Sequence, residues 1–345
     1  MLERTIEWMD EEACAKLIDQ TKLPLEHATL VVKTCARMAQ AIKVMEIRGA
    51  PAIGAAAAMG MALAALEFKG SSKRDLIKHL EKAKVTLDST RPTAVNLFWG
   101  TKRILDKAKE IDMPVNVIVE ELVTEAKLVA EEDVEKNKQM GKNGAVLLED
   151  GDTVLTHCNA GALACVAYGT ALGVIRAAVE SGKSINVISD ETRPRLQGAT
   201  LTCWELQQDN IPVTQIADTE AGLLMSMGKI NKIVVGADRI TSDAVFNKIG
   251  TYQVAIMAKY HGIPFYVAAP VSTIDLDRKM KDVEIEQRDE WEVKTIFKKV
   301  QISPDGVPAL NYAFDPTPME LVTAIITEDG VFTPAQLLER YPFVK

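Results

Sequence analysis

Short β-favouring runs at Thr5–Trp8, Ala15–Ile18 and Thr29–Val32, separated by Asp10-Glu11-Glu12 and Leu23-Pro24-Leu25, predict a small antiparallel sheet at the start of the chain. From Cys35 to Val146 the apolar spacing becomes helical, over 35–46, the Ala-rich 51–68, 74–87, 94–109 and 115–137. Residues 141–151, with Gly141, Gly144 and Gly151, read as a connector. Beyond them the pattern changes again. Thr153–Thr156, Ile185–Ser189, Val213–Ala217, Lys232–Val235 and Phe265–Ala268 are apolar, strand-length and separated by helix-length segments, the first of them a helix over Ala160–Val179. This alternation predicts βαβ units and an α/β fold, a Rossmann-like, doubly wound parallel sheet preceded by a mainly helical domain with the small antiparallel sheet. The division expected is 1–144 for the N-terminal domain and 145–345 for the catalytic one.

Composition narrows the reading. At 345 residues the chain is too long for one typical core, and a hydrophobic content of 47% with mixed charges suits a folded, soluble protein. A net charge of −8 argues against nucleic acid as a partner, so an anionic ligand has to be met by local arginines, lysines and helix starts. Ala50–Phe68 is uncharged up to Glu67, but Ala and Gly gain little in lipid, and the stretch reads as a buried helix with no membrane role. The five cysteines contain no Cys-x-x-Cys, and Glu3, Arg4 and Glu7 stand where a signal peptide would be, so a cytoplasmic location is expected.

Chemistry concentrates at the ends of the predicted strands, where ligands of open α/β sheets collect. Cys158 follows the first strand and is read as lying just before a helix N-terminus; an inert core thiol is the competing reading. Asp190-Glu191-Thr192-Arg193, Asp218-Thr219-Glu220 and Gly236-Ala237-Asp238-Arg239 follow later strands. Asp218 reads first as a helix N-cap, whereas Asp238 follows an apolar run and is expected to be partly desolvated. Three arginines precede prolines that look like helix starts, in Arg48-Gly49-Ala50-Pro51, Thr90-Arg91-Pro92 and Thr192-Arg193-Pro194; backbone N–H groups beside a guanidinium suit a phosphate. Asn247-Lys248 and Gln197-Gly198 add an ammonium and amides. The sequence after the first strand is not Gly-x-Gly-x-x-Gly, which argues against a nicotinamide cofactor, and the four histidines show no metal-ligand spacing. His157 adjoins Cys158, but neighbouring strand residues point to opposite faces, so a direct ion pair is not expected.

Ile47-Arg48-Gly49-Ala50-Pro51-Ala52-Ile53-Gly54, Arg91-Pro92-Thr93-Ala94-Val95-Asn96-Leu97, Thr156-His157-Cys158-Asn159-Ala160-Gly161, Glu191-Thr192-Arg193-Pro194 with Leu196-Gln197-Gly198, Gly236-Ala237-Asp238-Arg239-Ile240 and Asn247-Lys248-Ile249-Gly250-Thr251 together resemble, in order, the methylthioribose-1-phosphate isomerase family. The resemblance implies a homodimeric cytoplasmic enzyme of methionine salvage that turns the phosphorylated pentose 5-methylthioribose 1-phosphate into 5-methylthioribulose 1-phosphate with no metal or organic cofactor. It implies Cys158 and Asp238 as the catalytic pair, and Arg48, Gly49, Ala50, Arg91, Gln197, Asn247 and Lys248 as substrate-binding residues. Less regular matches at Asp218–Gly222, Thr241–Phe246 and Trp291–Gln301 leave open an isomerase of another pentose 1-phosphate, especially 5-deoxyribose 1-phosphate. A different class, a regulatory protein of the translation initiation factor guanine-exchange complex, shares the expected fold.

Overall fold

The structure is a computed structural model and describes residues 3–92, 94–297 and 299–341. Contacts between the described residues divide the chain into two units, residues 3–135 with 162–169 and residues 136–161 with 170–341.

In the first unit, β1 (Ile6–Met9), β2 (Cys14–Ile18) and β3 (Thr29–Val32) form an antiparallel sheet in that order. The helices α1 (Cys35–Lys43), α2 (Ala50–Glu67), α3 (Lys73–Asp88) and α4 (Val95–Glu110) follow. Every residue of α2 from Ala52 to Ala65 is buried, so the helix that is long and apolar enough to cross a membrane is the core of this unit. Its small side chains let a neighbour approach closely. A Cβ on Gly100 of α4 would lie 2.3 Å from the Gly54 carbonyl oxygen, and one on Gly54 would lie 3.2 Å from that of Asn96. The starts of α2 and α4 are thereby packed together.

The chain passes from one unit to the other within α5, Val115–Ala145. This helix corrects the connector expected over 141–151: it continues to Ala145 because Gly144 packs where a Cβ would meet Val174 Cγ2 at 2.6 Å and Ile326 Cδ1 at 3.0 Å. Tertiary contact outweighs the weak helix propensity of glycine.

The second unit is α/β. Its strands are β4 (Thr153–Thr156), β5 (Asn186–Asp190), β6 (Val213–Ile216), β7 (Lys232–Val235), β8 (Arg239–Ile240), β9 (Ala244–Lys248), β10 (Phe265–Ala268), β11 (Thr295–Ile296), β12 (Val300–Gln301), β13 (Phe314–Pro318), β14 (Ala324–Thr327) and β15 (Gly330–Phe332). Seven of them make one sheet in the order β15-β14-β10-β7-β4-β5-β6, parallel except for β15. β8, β9 and β13 form a separate antiparallel sheet. Leu155, Ile233, Val235, Phe265, Val267 and Ile325 bury the sheet's apolar residues, which explains why these strands read as continuous apolar runs.

One predicted helix is displaced. Residues 161–170 hold no α-helix, only a 3₁₀ turn at Ala162–Ala164 and bridge residues at Gly161 and Gly169, and α6 (Ala171–Glu180) follows. Tyr168 (φ 69°) and Gly169 (φ 87°) are left-handed and interrupt any helix there, and 162–169 belong to the other unit.

Candidate active site

The strand order reverses between β4 and β7: the chain runs outward from β4 through β5 to β6, then returns to the other side of β4 as β7. In an open parallel sheet the carboxyl ends of the two strands at such a reversal border the ligand crevice. Cys158 follows β4 by two residues, and Asp238 follows β7 by three. With Leu155 opposite Ile233 in parallel register, both lie beyond the same edge of the sheet.

Cys158 is 7% exposed and left-handed, at φ 68°. Such a conformation costs a non-glycine residue on the order of 1–3 kcal/mol and has to be held by its surroundings. Two threonines hold it. The Cys158 N–H donates to Thr192 Oγ1 at 2.8 Å, and the Cys158 carbonyl accepts from Thr202 Oγ1 at 2.6 Å. Thr192 is itself left-handed, at φ 65°, and its hydroxyl donates a hydrogen bond to the Asp190 carbonyl at 3.1 Å. These bonds hold the backbone of Cys158 and leave the thiol out of the frame. With α6 displaced, the helix start expected immediately after Cys158 is absent, so it offers the thiol no dipole.

Asp238 corrects a second expectation. Its N–H donates to the Phe246 carbonyl at 2.8 Å, but its side chain is exposed, because the chain has already left the sheet at Val235. Asp218 is also reassigned. Its carboxylate accepts the N–H groups of Thr192 and Arg193, each at 2.7 Å, and so binds the turn after β5 instead of capping its own helical turn. The Arg193 guanidinium donates to the carbonyls of Pro194 (2.9 Å) and Val293 (2.7 Å), which explains that arginine without a phosphate. Pro194 lies in a turn over 193–196, not in a first helical turn.

His157, Asp190 and Asp218 offer ligand atoms within 4.8 Å of one another. Their bonds already commit them. His157 Nδ1 is 2.9 Å from Asp190 Oδ2 and Nε2 is 2.8 Å from the Ile249 carbonyl, while both Asp218 oxygens hold backbone amides. Burial alone would push the imidazole down, but the bond to Asp190 and its charge, with the Ile249 carbonyl, outweigh it and raise His157. Burial also raises Asp190, against the pull of His157. Both directions keep a proton on the Nδ1–Oδ2 bond.

Asn247 and Lys248 end β9 and are both buried; Asn247 Nδ2 donates to Thr251 Oγ1 at 3.0 Å, and Lys248 Nζ donates to the Ala313 carbonyl at 2.7 Å and lies 4.4 Å from the centre of the Phe314 ring. Gln197, in the chain that follows β5, is 7% exposed, and its side-chain oxygen has no hydrogen-bond partner among the described residues. Arg48, Gly49, Ala50 and Arg91 stand in the first unit. Gly49 precedes α2 at φ 94°, where a Cβ would meet the Ala164 oxygen at 2.3 Å, so both conformation and space require glycine. Ala50 opens α2, and Pro51 lies in its first turn as expected. Pro92 instead lies three residues ahead of α4. The close crossing at Gly54 brings the Arg48 and Arg91 segments to the same end of the α2–α4 pair.

Sequence reasoning missed Asp315. It accepts the N–H of Gly250 at 2.7 Å and that of Tyr252 at 3.2 Å, at the start of the helix Thr251–His261. Burial pushes its carboxyl up to about 6, against those amides and the nearby His157 and Lys248. A carboxyl raised on folding stabilises the fold below its unfolded pKa and loses that contribution as pH rises through about 6. The Asp315 contribution is therefore expected to fall by about 2–3 kcal/mol between pH 4 and 6. Subtracting urea-unfolding free energies of Asp315→Asn from those of the parent should reveal this slope; parallel pH curves would refute it.

The sequence model of the initiation factor 2 subunit family matches residues 46–334. A methylthioribose-1-phosphate isomerase of Thermosipho africanus is 56% identical over 332 residues, 96% of this chain and 95% of that one. The solved structure of a 5-methylthioribose 1-phosphate isomerase from Pyrococcus horikoshii superposes with a TM-score of 0.93 at 44% identity, covering 98% of this chain and 95% of that one. One from Archaeoglobus fulgidus, described as the translation initiation factor eIF-2B, subunit delta, superposes with a TM-score of 0.90 at 52% identity, covering 98% and 99%. Likeness of this extent, spanning nearly the whole chain and both strands at the sheet reversal, means that the chain belongs to the initiation factor 2 subunit family and, within it, to the methylthioribose-1-phosphate isomerase family.

Proposed function

We propose that the protein is an aldose–ketose isomerase of methionine salvage, converting 5-methylthioribose 1-phosphate to 5-methylthioribulose 1-phosphate. The observation that carries this reading is the 56% identity to an isomerase of that name over 96% of the chain. The geometry supports it through Cys158 and Asp238, which follow the two strands at the sheet reversal. We read the second unit as a Rossmann-like, doubly wound domain and keep 1–144 and 145–345 as the functional division of the chain.

The substrate's anomeric oxygen is held in a phosphate ester, so its ring cannot open as a free sugar's does. An acid has to protonate the ring oxygen, and hydrogen then moves between C2 and C1. We assign the acid to Asp238, a role that requires bound substrate to withdraw its exposed carboxyl from water, and to Cys158 the group that accepts a proton or faces the developing charge. Arg48, Arg91 and Lys248 supply positive charge to the phosphate, and Gly49 leaves the first amides of α2 without a capping side chain, a setting that favours an anion. The unpartnered oxygen of Gln197 suits a sugar hydroxyl, because a buried acceptor without a donor is costly. Asn247 adds an amide for the same purpose. These groups orient the substrate; they do not carry the chemistry.

We also propose a cytoplasmic homodimer. Tyr252, Ile256, Met257 and Tyr260 of the helix Thr251–His261 are exposed, as are Leu223 and Met227 in and just after the helix Ala221–Ser226, whose Gly222 lies against Met257, and an apolar face of this kind suits a subunit contact. Sedimentation of the purified protein checks the dimer, and cell fractionation the compartment.

The decisive assay compares kcat/KM for the methylthio, 5-deoxy and 5-hydroxy pentose 1-phosphates. An apolar pocket separates such neighbours by only about 1–3 kcal/mol, so some activity on the deoxy sugar is expected. A strong preference for the deoxy sugar would replace the methylthio assignment. Turnover of none of them would favour a regulatory protein, the reading that the description of the Archaeoglobus fulgidus structure supports.

A further inference from the structure

The Ile249–Gly250 peptide is held from both sides. Its carbonyl lies 2.8 Å from His157 Nε2, and its N–H donates to Asp315 Oδ2 at 2.7 Å. Rotating this peptide breaks both bonds at once. Gly250 is left-handed, at φ 107°, and a Cβ there would lie 2.7 Å from His157 Cε1, so the imidazole occupies the space a side chain would need. On its other edge the ring is oriented by Asp190 at 2.9 Å, and Asp315 pairs with Asn247 across β13 and β9. Asp190 and Ile249, far from His157 in sequence, thus meet at one imidazole, one residue before Cys158, and Asp315 bonds the far side of the same Ile249–Gly250 peptide.

We propose that His157 is a positioning residue for substrate binding: it clamps the Ile249–Gly250 peptide and so fixes Asn247 and Lys248 relative to the strand end that carries Cys158. The proposal rests on the isomerase reading for its kinetic consequence, but the clamp itself does not depend on it. The ring acts as a hydrogen-bond donor here, and its shape alone does not suffice. An orienting bond from a polar or charged donor, once lost, weakens binding by about 10–100-fold.

His157→Phe keeps a planar ring and removes the Nε2 donor together with the Nδ1 bond to Asp190, whereas His157→Gln keeps an N–H close to the position of Nε2. The Phe variant is expected to raise KM for the sugar phosphate by about 10–100-fold, with a smaller change in kcat, and to speed amide exchange at residues 249–252. The Gln variant is expected to restore most of the KM. Unchanged KM and unchanged exchange in a Phe variant that still melts cooperatively would overturn the proposal, and so would equal losses in both variants, which would make the effect one of packing. If the parent protein fails to turn over any of the sugar phosphates, the isomerase reading falls, and amide exchange at 249–252 still decides the clamp.

Discussion

Cys158→Ser and Asp238→Asn are each expected to lower kcat for the sugar phosphate by about 10²–10⁴-fold while leaving the protein folded. The structure separates these two effects. What holds Cys158 in its left-handed conformation is bonded to its backbone, through Thr192 and Thr202, and serine keeps that backbone. Exchanging a buried thiol for a hydroxyl costs stability on the order of 1–2 kcal/mol, far too little to unfold the chain. Asp238 is exposed, and the bond from its backbone N–H to the Phe246 carbonyl is retained by asparagine. The measurement is kcat and KM for each variant, with thermal melts alongside. A folded variant with near-parental kcat would remove that residue from the catalytic pair.

The strands at the centre of the site were legible because a parallel sheet covered on both faces demands continuous apolar runs. Lys232–Val235 and Phe265–Ala268 carry such runs and fall where expected. The segment after Cys158 was not legible. Ala160–Val179 has helical apolar spacing, but Tyr168 and Gly169 are left-handed, and 162–169 pack in the other unit. The spacing of side chains records neither fact. Gly144 points in the opposite direction, since glycine marks loops in sequence but here serves close packing. Cys158 and Asp238 stand out in the sequence by position at strand ends and by resemblance. Their settings do not, because the bonds around Cys158 come from Thr192 and Thr202, 34 and 44 residues away. Asp315 gave no local signal at all: it lies between Phe314 and Pro316 in a short strand, and its role exists only once β13 pairs with β9.

Removing the Arg176 guanidinium is expected to be the most destabilising single change in the second unit, costing about 3–5 kcal/mol in Arg176→Met. Arg176 is 3% exposed and donates to Glu205 at 2.8 Å and to Asp209 at 2.7 Å. Burial alone would lower its pKa, but the two carboxylates outweigh that and raise it, so the cation is held firmly. Methionine fills much of the same volume yet leaves both carboxylates facing each other without the cation between them. Lysine is a poor substitute, since a point charge does not reproduce a planar fork that meets two acceptors at once. The consequence extends to the candidate site, because the Asn159 amide donates to Glu205 and to Thr202 Oγ1, and Thr202 holds the Cys158 carbonyl. Arg176→Met should therefore melt on the order of 5–10 °C below the parent and lose kcat even where it remains folded. Adding Glu205→Gln to Arg176→Met should recover part of the stability, since one of the two uncompensated charges is then gone. Calorimetric melts of the single and double variants decide the matter. A single variant melting within about a degree of the parent would mean that the buried carboxylates need no cation, and the proposed support behind Cys158 would fail with it.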